Sequence, residues 1–233
     1  MGSGTMVAPT SSVALLGGTG RSGPGLALRF AMRGVRVLIG SREADKGVDA
    51  AAKVGGLLAE AGLQGAGRVT GHANAEAAEL AETTFITVPY EGQDAVLEGL
   101  GETLRGRVVV STVVPMRWDR ELGPTGIAVP EGSAAERAAA HLPGARVVAG
   151  FHSLSSAVLI KPERPVDADV IVTGDDGDAK RTAEALAALI EGARPVDGGP
   201  LRYARHSEGL TVLLLSINRV HKAHTGVRIT DLP

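Results

Sequence analysis

The chain has no cysteine at all, which removes disulfides, thiolate nucleophiles and cysteine metal sites from consideration. Phe, Trp and Tyr together make up only 3% of the residues, too few for the stacking platforms that single-stranded nucleic acids require. Neither sign of charge dominates, since 24 Lys and Arg against 26 Asp and Glu leave a formal net charge of −2. Neither a nucleic-acid partner nor a polybasic membrane contact is expected from such a balance. No apolar run approaches the roughly 20 residues that span a bilayer. The best candidate, Leu210 to Ile217, reads instead as a buried or subunit-facing helix. Met1 to Ser12 lacks the charged and apolar regions of a signal peptide. Its Met-Gly-Ser-Gly opening reads as disordered or as a cloning remnant ahead of Met6. A cytoplasmic protein is the expectation.

What is present begins at Val13. A short apolar run, Val13 to Leu16, ends in Gly18-x-Gly20-x-x-Gly23, and a helical segment follows with Pro24 at its start. Strand, glycine turn and helix in that order form the dinucleotide fingerprint. In that reading Gly18 permits the tight turn, Gly20 lets backbone approach a pyrophosphate, and Gly23 lets helix pack on strand. Thr19, Arg21 and Ser22 complete the turn, whose amides and helix dipole favour phosphate. The next strand, Val35 to Ile39, ends in Gly40-Ser41-Arg42 where a carboxylate would normally hold the ribose 2′-hydroxyl. A hydroxyl, a guanidinium and Lys46 one helical turn on suit a 2′-phosphate instead. A solvated basic turn is the plainer alternative. The pattern points to NADP(H).

Apolar runs and helical segments alternate as far as Ala149. Helices are expected over Pro24–Arg33, Glu43–Ala61, Asn74–Ala81 (capped by Asn74), Gln93–Leu104 and Ser133–His141 (capped by Ser133). Strands are expected at Arg68–Thr70, Thr84–Val88, Arg107–Val110 and Arg146–Ala149, with Asp119–Gly132 as loop. Such alternation specifies an α/β fold, a Rossmann-type doubly wound parallel sheet. Ligands in these sheets lie at the carboxyl ends of strands. Three segments leave those ends: Gly17–Gly23, Thr87-Val88-Pro89 with its flank, and Ser111–Met116, which contains Val113 and Pro115.

Beyond Gly150 the pattern changes. Residues 13–149 read as the NADP-binding domain, and 150–233 as a smaller C-terminal α/β domain for a second ligand and for dimerisation. That part holds a strand at Ala168–Thr173, a helix at Asp178–Ile190, a short strand at Arg194–Val196 and a final helix at Ala204–Lys222. His152 directly follows the last strand of the first part. Three roles are open to it: proton donor, hydrogen-bonding partner, or wall. His206, His221 and His224 are too irregularly spaced for a metal cluster, and Asp175-Asp176 reads as a solvated turn.

Several motifs taken together resemble the NADPH-dependent reductases of the deazaflavin coenzyme F420, in particular an actinobacterial branch. They are Val13-Ala-Leu-Leu-Gly-Gly-Thr-Gly, Gly40-Ser-Arg-x-x-x-Lys46, Thr87-Val-Pro89 and Phe151-His-Ser-Leu, then Asp197-Gly-Gly-Pro-Leu201 with Arg205 and Glu208. The tail from Ser216-Ile-Asn-Arg219 through Lys222-Ala-His224 to Ile229 completes the set. The resemblance implies a homodimeric oxidoreductase that moves hydride between NADP(H) and coenzyme F420 with no metal. It also implies Ser41, Arg42 and Lys46 at the 2′-phosphate, Thr19 to Ser22 at the pyrophosphate, and Thr87, Val88 and Pro89 by the nicotinamide. His152 would lie by the deazaflavin. The chain departs from many relatives at Leu154-Ser155-Ser156, where a proline is usual, and at Arg21-Ser22-Gly23-Pro24 in the glycine turn. Two rivals remain: an NADPH-dependent dehydrogenase or imine reductase of a small metabolite, with Lys161 or Lys222 as its lysine, and a non-catalytic NADPH-binding module.

Overall fold

Strand β1 (Ser12–Leu16) is buried at every position, as a strand covered by helices on both faces must be. The computed structural model describes residues 10–63 and 69–232. After β1 come α1 (Gly23–Ala31), β2 (Arg36–Ser41), α2 (Ala44–Glu60), β3 (Val69–Ala73), α3 (Asn74–Leu80) and β4 (Thr83–Ile86). Then follow α4 (Gln93–Leu97), α5 (Gly101–Leu104), β5 (Val108–Ser111), β6 (Met116–Asp119), β7 (Gly123–Gly126), α6 (Ala134–His141) and β8 (Arg146–Ala149). The chain closes with α7 (Ser156–Leu159), β9 (Ala168–Gly174), α8 (Gly177–Ala188), β10 (Ala193–Asp197) and α9 (Ala204–His221).

Eight strands form one sheet in the order β10-β9-β8-β5-β4-β1-β2-β3. From β3 to β8 every pairing is parallel. The parallel sheet expected for residues 13–149 is present, and only beyond it, at the far edge, does the direction change. There β9 runs antiparallel to β8, and β10 pairs with β9 in parallel. The sheet is thus continuous across Gly150, and the strands of 150–233 extend it. A correction concerns Asp119–Gly132, expected as loop, which contributes to the antiparallel hairpin β6–β7 turned at Gly123 with φ +83°. The single helix expected over Gln93–Leu104 is broken into α4 and α5, with Gly99 at φ +76° between them. Of the strand expected at Arg68–Thr70, Arg68 lies outside the described residues. The expectation for Met1 to Ser12 falls there too up to residue 9; Ser12 itself opens β1.

Helix caps follow local chemistry in two cases. Ser133 Oγ accepts from the Glu136 amide at 3.0 Å, and Asp176 Oδ1 accepts from the Ala179 amide at 2.8 Å. Asn74 does not cap its own helix; its side chain is used elsewhere, as described below.

Helix α1 is buried on nearly all sides, not on one face. Two features let it be so. Gly25 lies so close to α7 that a Cβ there would sit 2.6 Å from the Leu159 Cβ. One turn on, Arg29 is 2% exposed. Its guanidinium donates to the carbonyls of Leu159 (2.9 Å), Val158 (3.0 Å), Lys161 (2.5 Å) and Arg164 (2.6 Å). Burial lowers its pKa from the ordinary value, opposed by the charges of Glu191 and Glu163. An Arg29→Met substitution leaves several buried carbonyls without a donor. We expect it to cost about 3 kcal/mol or more, since each unsatisfied buried group costs roughly 1–3 kcal/mol. A denaturant titration that finds less than about 1 kcal/mol lost would contradict this role.

Candidate functional site

The turn after β1 is shaped by three close approaches. Gly17, at φ +68°, is the residue in the left-handed region, so the tight turn depends on Gly17 as well as on the expected Gly18. A Cβ on Gly18 would lie 2.7 Å from the Leu15 carbonyl oxygen, and one on Gly23 only 2.1 Å from that of Gly18. Gly23 therefore lets the start of α1 lie against the turn at Gly18. A Cβ on Gly20 meets nothing closer than 3.5 Å within the chain, so the chain alone sets no steric demand there. The Gly18 amide donates to the Gly40 carbonyl at 3.0 Å, tying the turn to the end of β2. The Gly17 amide donates to Asn74 Oδ1 at 3.0 Å. Thr19, Gly20 and Arg21 are exposed at the tip, and Ser22 is half-buried.

At the end of β2, Ser41 is buried, whereas Arg42 and Lys46 are exposed. Lys46 Nζ holds Glu43 Oε1 at 2.7 Å, so this lysine shares its charge with a neighbour that the sequence pattern did not flag. The Thr87 hydroxyl donates to the Leu16 carbonyl at 2.8 Å and binds β4 to β1.

Between these carboxyl ends and α9 lies a cleft of about 1230 Å³. A single small-molecule site usually occupies roughly 300–1,000 Å³, so two ligands can lie side by side here. Gly20, Arg21, Ser22, Thr87, Val88 and Pro89 line it, as does His152. Val113 does not: it is 1% exposed and packs into the core beneath the sheet. Thr112 and Val114 face the cleft in its place, as alternation along an extended segment requires. Pro115 is also absent from the lining; its carbonyl accepts from the Ile127 amide at 2.8 Å. Met116 closes the expected Ser111–Met116 segment and Asn218 lies in the tail motif, while Trp118 of β6 and Thr211 and Leu215 of α9 are lining residues that the sequence reading missed. On α9 the spacing of 211, 215, 218 and 222 was a readable helical stripe.

The floor of the cleft is built on phenylalanine. The chain has 3, and Phe30, Phe85 and Phe151 all meet here, with ring centroids 5.2–6.2 Å apart. Phe151 holds φ +66°, a costly conformation for a non-glycine residue. Its packed ring offsets that cost and turns the chain to present His152. Burial pushes the His152 pKa down to about 4, while a backbone hydrogen bond with Ser111 opposes the shift. Nε2 is buried with no partner. With the other ring nitrogen donating to Ser111, a neutral imidazole offers Nε2 as an acceptor. The Thr211 hydroxyl, also in the lining, is likewise buried without a partner. Two buried polar atoms in the lining without partners inside the chain fit a ligand that offers polar groups there.

Fold and cleft together define a dinucleotide-binding oxidoreductase architecture with room for a second ligand. A family profile described as "NADP oxidoreductase coenzyme F420-dependent" matches residues 12–115. The F420-dependent NADP reductase of Methanothermobacter marburgensis is 42% identical over 227 residues, covering 95% of this chain and 99% of the relative. That of Methanocaldococcus jannaschii is 37% identical over 222 residues, covering 94% and 98%. An Arthrobacter sp. FB24 protein, crystallised as a candidate F420-dependent NADP reductase, is similar at TM-score 0.76 and 25% identity, covering 95% of this chain and 99% of that one. The chain belongs to the F420-dependent NADP reductase family. Among the described residues, no helix is long and apolar enough to cross a membrane.

The His152 shift has a stability consequence. Its folded pKa of about 4 lies below the ordinary 6.5, so the unfolded chain binds more protons between those values. The contribution of the neutral buried ring is full above pH 6.5, declines as pH falls, and is lost below about 4. It amounts to about 3 kcal/mol. Melting temperatures from pH 7.5 to 4.5 should fall more steeply for the wild type than for His152→Gln; parallel curves would contradict the assignment.

Proposed function

We propose that this protein transfers hydride reversibly between NADP(H) and the 8-hydroxy-5-deazaflavin coenzyme F420. The carrying observation is a cleft large enough for two ligands at the carboxyl ends of parallel strands, in a chain 42% identical to an F420-dependent NADP reductase. Each ligand supplies its own reacting carbon. The protein's task is to hold the two together and exclude water, which contributes roughly 7–11 kcal/mol in well-oriented systems.

The exposed tip Thr19–Ser22 and the amides opening α1 suit the pyrophosphate. Ser41, Arg42 and Lys46 hold the 2′-phosphate, with Lys46 exchanging Glu43 for it. Thr87, Val88 and Pro89 form the wall beside the nicotinamide. His152 is neutral, so it positions the deazaflavin by accepting at Nε2 and does not supply a proton. The proton consumed with each hydride on deazaflavin reduction comes from solvent. An imine-reducing dehydrogenase would need a proton donor at the reacting centre. Lys161 is exposed and outside the lining; Lys222 lines the cleft but stands exposed just past the end of α9.

The reading includes a homodimer. Leu213 and Val220, seven positions apart on one stripe of α9, are 57% and 72% exposed, an apolar surface that a second copy would cover. Leu214, by contrast, is 5% exposed and packed within the chain.

Purified protein mixed with NADPH and oxidised F420 should bleach the visible deazaflavin absorbance with no added metal, and the reaction should run further toward reduced F420 at low pH. Turnover of an imine or ketone with none of F420 would overturn the assignment. Arg42→Ala should weaken NADPH binding about tenfold or more, given 1.5–3 kcal/mol for a charged hydrogen bond, and leave NADH unaffected. Equal losses would remove the phosphate pocket. Light scattering should show Leu213→Glu at half the wild-type mass; equal masses would place the stripe outside any interface.

A further inference from the structure

One side-chain oxygen stands between the proposed pyrophosphate and 2′-phosphate sites. Asn74 Oδ1 accepts from the Gly17 amide at 3.0 Å and so holds the start of the glycine turn. It also lies over Gly40, where a Cβ would fall 2.7 Å from it. The Gly40 carbonyl in turn accepts from the Gly18 amide at 3.0 Å, which closes a ring of contacts from the turn to β2 to Asn74. Ala73, the residue before Asn74, stands opposite Ser41 in the β2–β3 register. Asn74 therefore touches the turn on one side and adjoins the Ser41-Arg42 step on the other. The helix that it opens draws no cap from it.

An aspartate at this position would serve the Gly17 amide better, because a hydrogen bond to an ionised acceptor is roughly twice as strong as a neutral one. An acidic residue also suits the first turn of a helix. Both local preferences favour Asp, yet the chain has Asn. The carboxylates that lie nearby are engaged by neighbours: Glu43 by Lys46 at 2.7 Å, and Glu76 by His72 Nδ1 at 3.1 Å. A carboxylate without such a neighbour, set between two phosphates, would repel both across a short and partly buried path where charge is poorly screened. The amide oxygen holds the turn without that repulsion.

We propose that Asn74 is a positioning residue for NADP(H): its oxygen sets the glycine turn, and its lack of charge keeps the adjoining pocket open to the 2′-phosphate. The proposal rests on the phosphate pocket proposed above. It adds a determinant of the preference for NADPH over NADH that acts through Gly17 and Gly40.

Binding without turnover tests it. NADPH and NADH are titrated by nucleotide fluorescence against wild type, Asn74→Asp and Asn74→Leu, and each protein is melted in the absence of nucleotide. Asn74→Asp keeps the acceptor, so its melting temperature should stay within about 2 °C of wild type. Its NADPH binding should weaken about tenfold or more, and its NADH binding by about threefold or less, since only NADPH brings the 2′-phosphate against the new charge. Asn74→Leu orphans the Gly17 amide, so it should melt about 2–4 °C lower or more and lose affinity for both nucleotides alike. Equal losses of the two nucleotides in Asn74→Asp, or no loss of either, would overturn the proposal. So would a melting temperature for Asn74→Asp that falls with that of Asn74→Leu, which would leave Asn74 a purely structural role. A wild type that binds NADH as tightly as NADPH would overturn the phosphate pocket and this proposal with it. A preference for NADPH that Arg42→Ala abolishes and Asn74→Asp retains would overturn the proposal alone.

Discussion

One buried guanidinium ties the two walls of the cleft together. Arg29 sits six residues past Gly23, on the helix that opens at the glycine turn, and its acceptors run from Val158 to Arg164. The segment just before those acceptors, Phe151 to Ala157, lines the opposite side of the cleft. A rigid α1 therefore fixes the turn and the far wall relative to each other. The lysine alternative would not serve: its ammonium is a compact point charge without the planar fork, and it could not reach four carbonyls at once. Gly25 makes the geometry possible by letting α7 approach to the point where a methyl would collide with Leu159.

This constraint explains why the site can be made of so little. Hydride exchange between two bound rings needs no nucleophile from the chain. What it needs is a fixed separation, and close-packed interiors transmit position well. The phenylalanine cluster beneath the cleft does this locally: three rings in edge or tilted contact hold Phe151 at a φ it would otherwise leave. The result is a neutral His152 on an apolar floor, its Nε2 without a partner inside the chain.

Much of the fold was legible in the sequence because its signals are local. Apolar runs of four or five residues, separated by helices with recognisable starts, mark the strands of the parallel part other than β3, which only the short Arg68–Thr70 segment suggested. Ser133 capped its helix as its position implies. What failed was long-range or depended on a single step. Asn74 has the right residue type for a cap, yet its oxygen accepts from the Gly17 amide 57 positions away; no local pattern ranks those two partners. The direction of β9 is set by the path of residues 150–167, in which proline and a four-residue helix leave no periodic signal. Val113 and its neighbours differed only in phase: once the segment is extended, assigning one residue to the cleft assigns the next to the core.

The candidate site divides in the same way between local and long-range signals. The glycine turn and the Ser41-Arg42 step are backbone motifs whose spacing carries their chemistry, so they can be read in one dimension. The α9 wall cannot. Leu210–Ile217 announces burial by composition, but that run serves different environments at once: the buried Leu214 and the half-buried Leu215 line the cleft, and Leu213 is exposed. Hydrophobicity says that a residue leaves water and does not say what it leaves water for. Only the placement of α9 against β7 and the sheet separates a core contact from a ligand contact and from a surface awaiting a partner. A helix so divided couples the cleft to the exposed stripe through its own rigidity, so anything that covers Leu213 and Val220 also fixes Thr211 and Asn218.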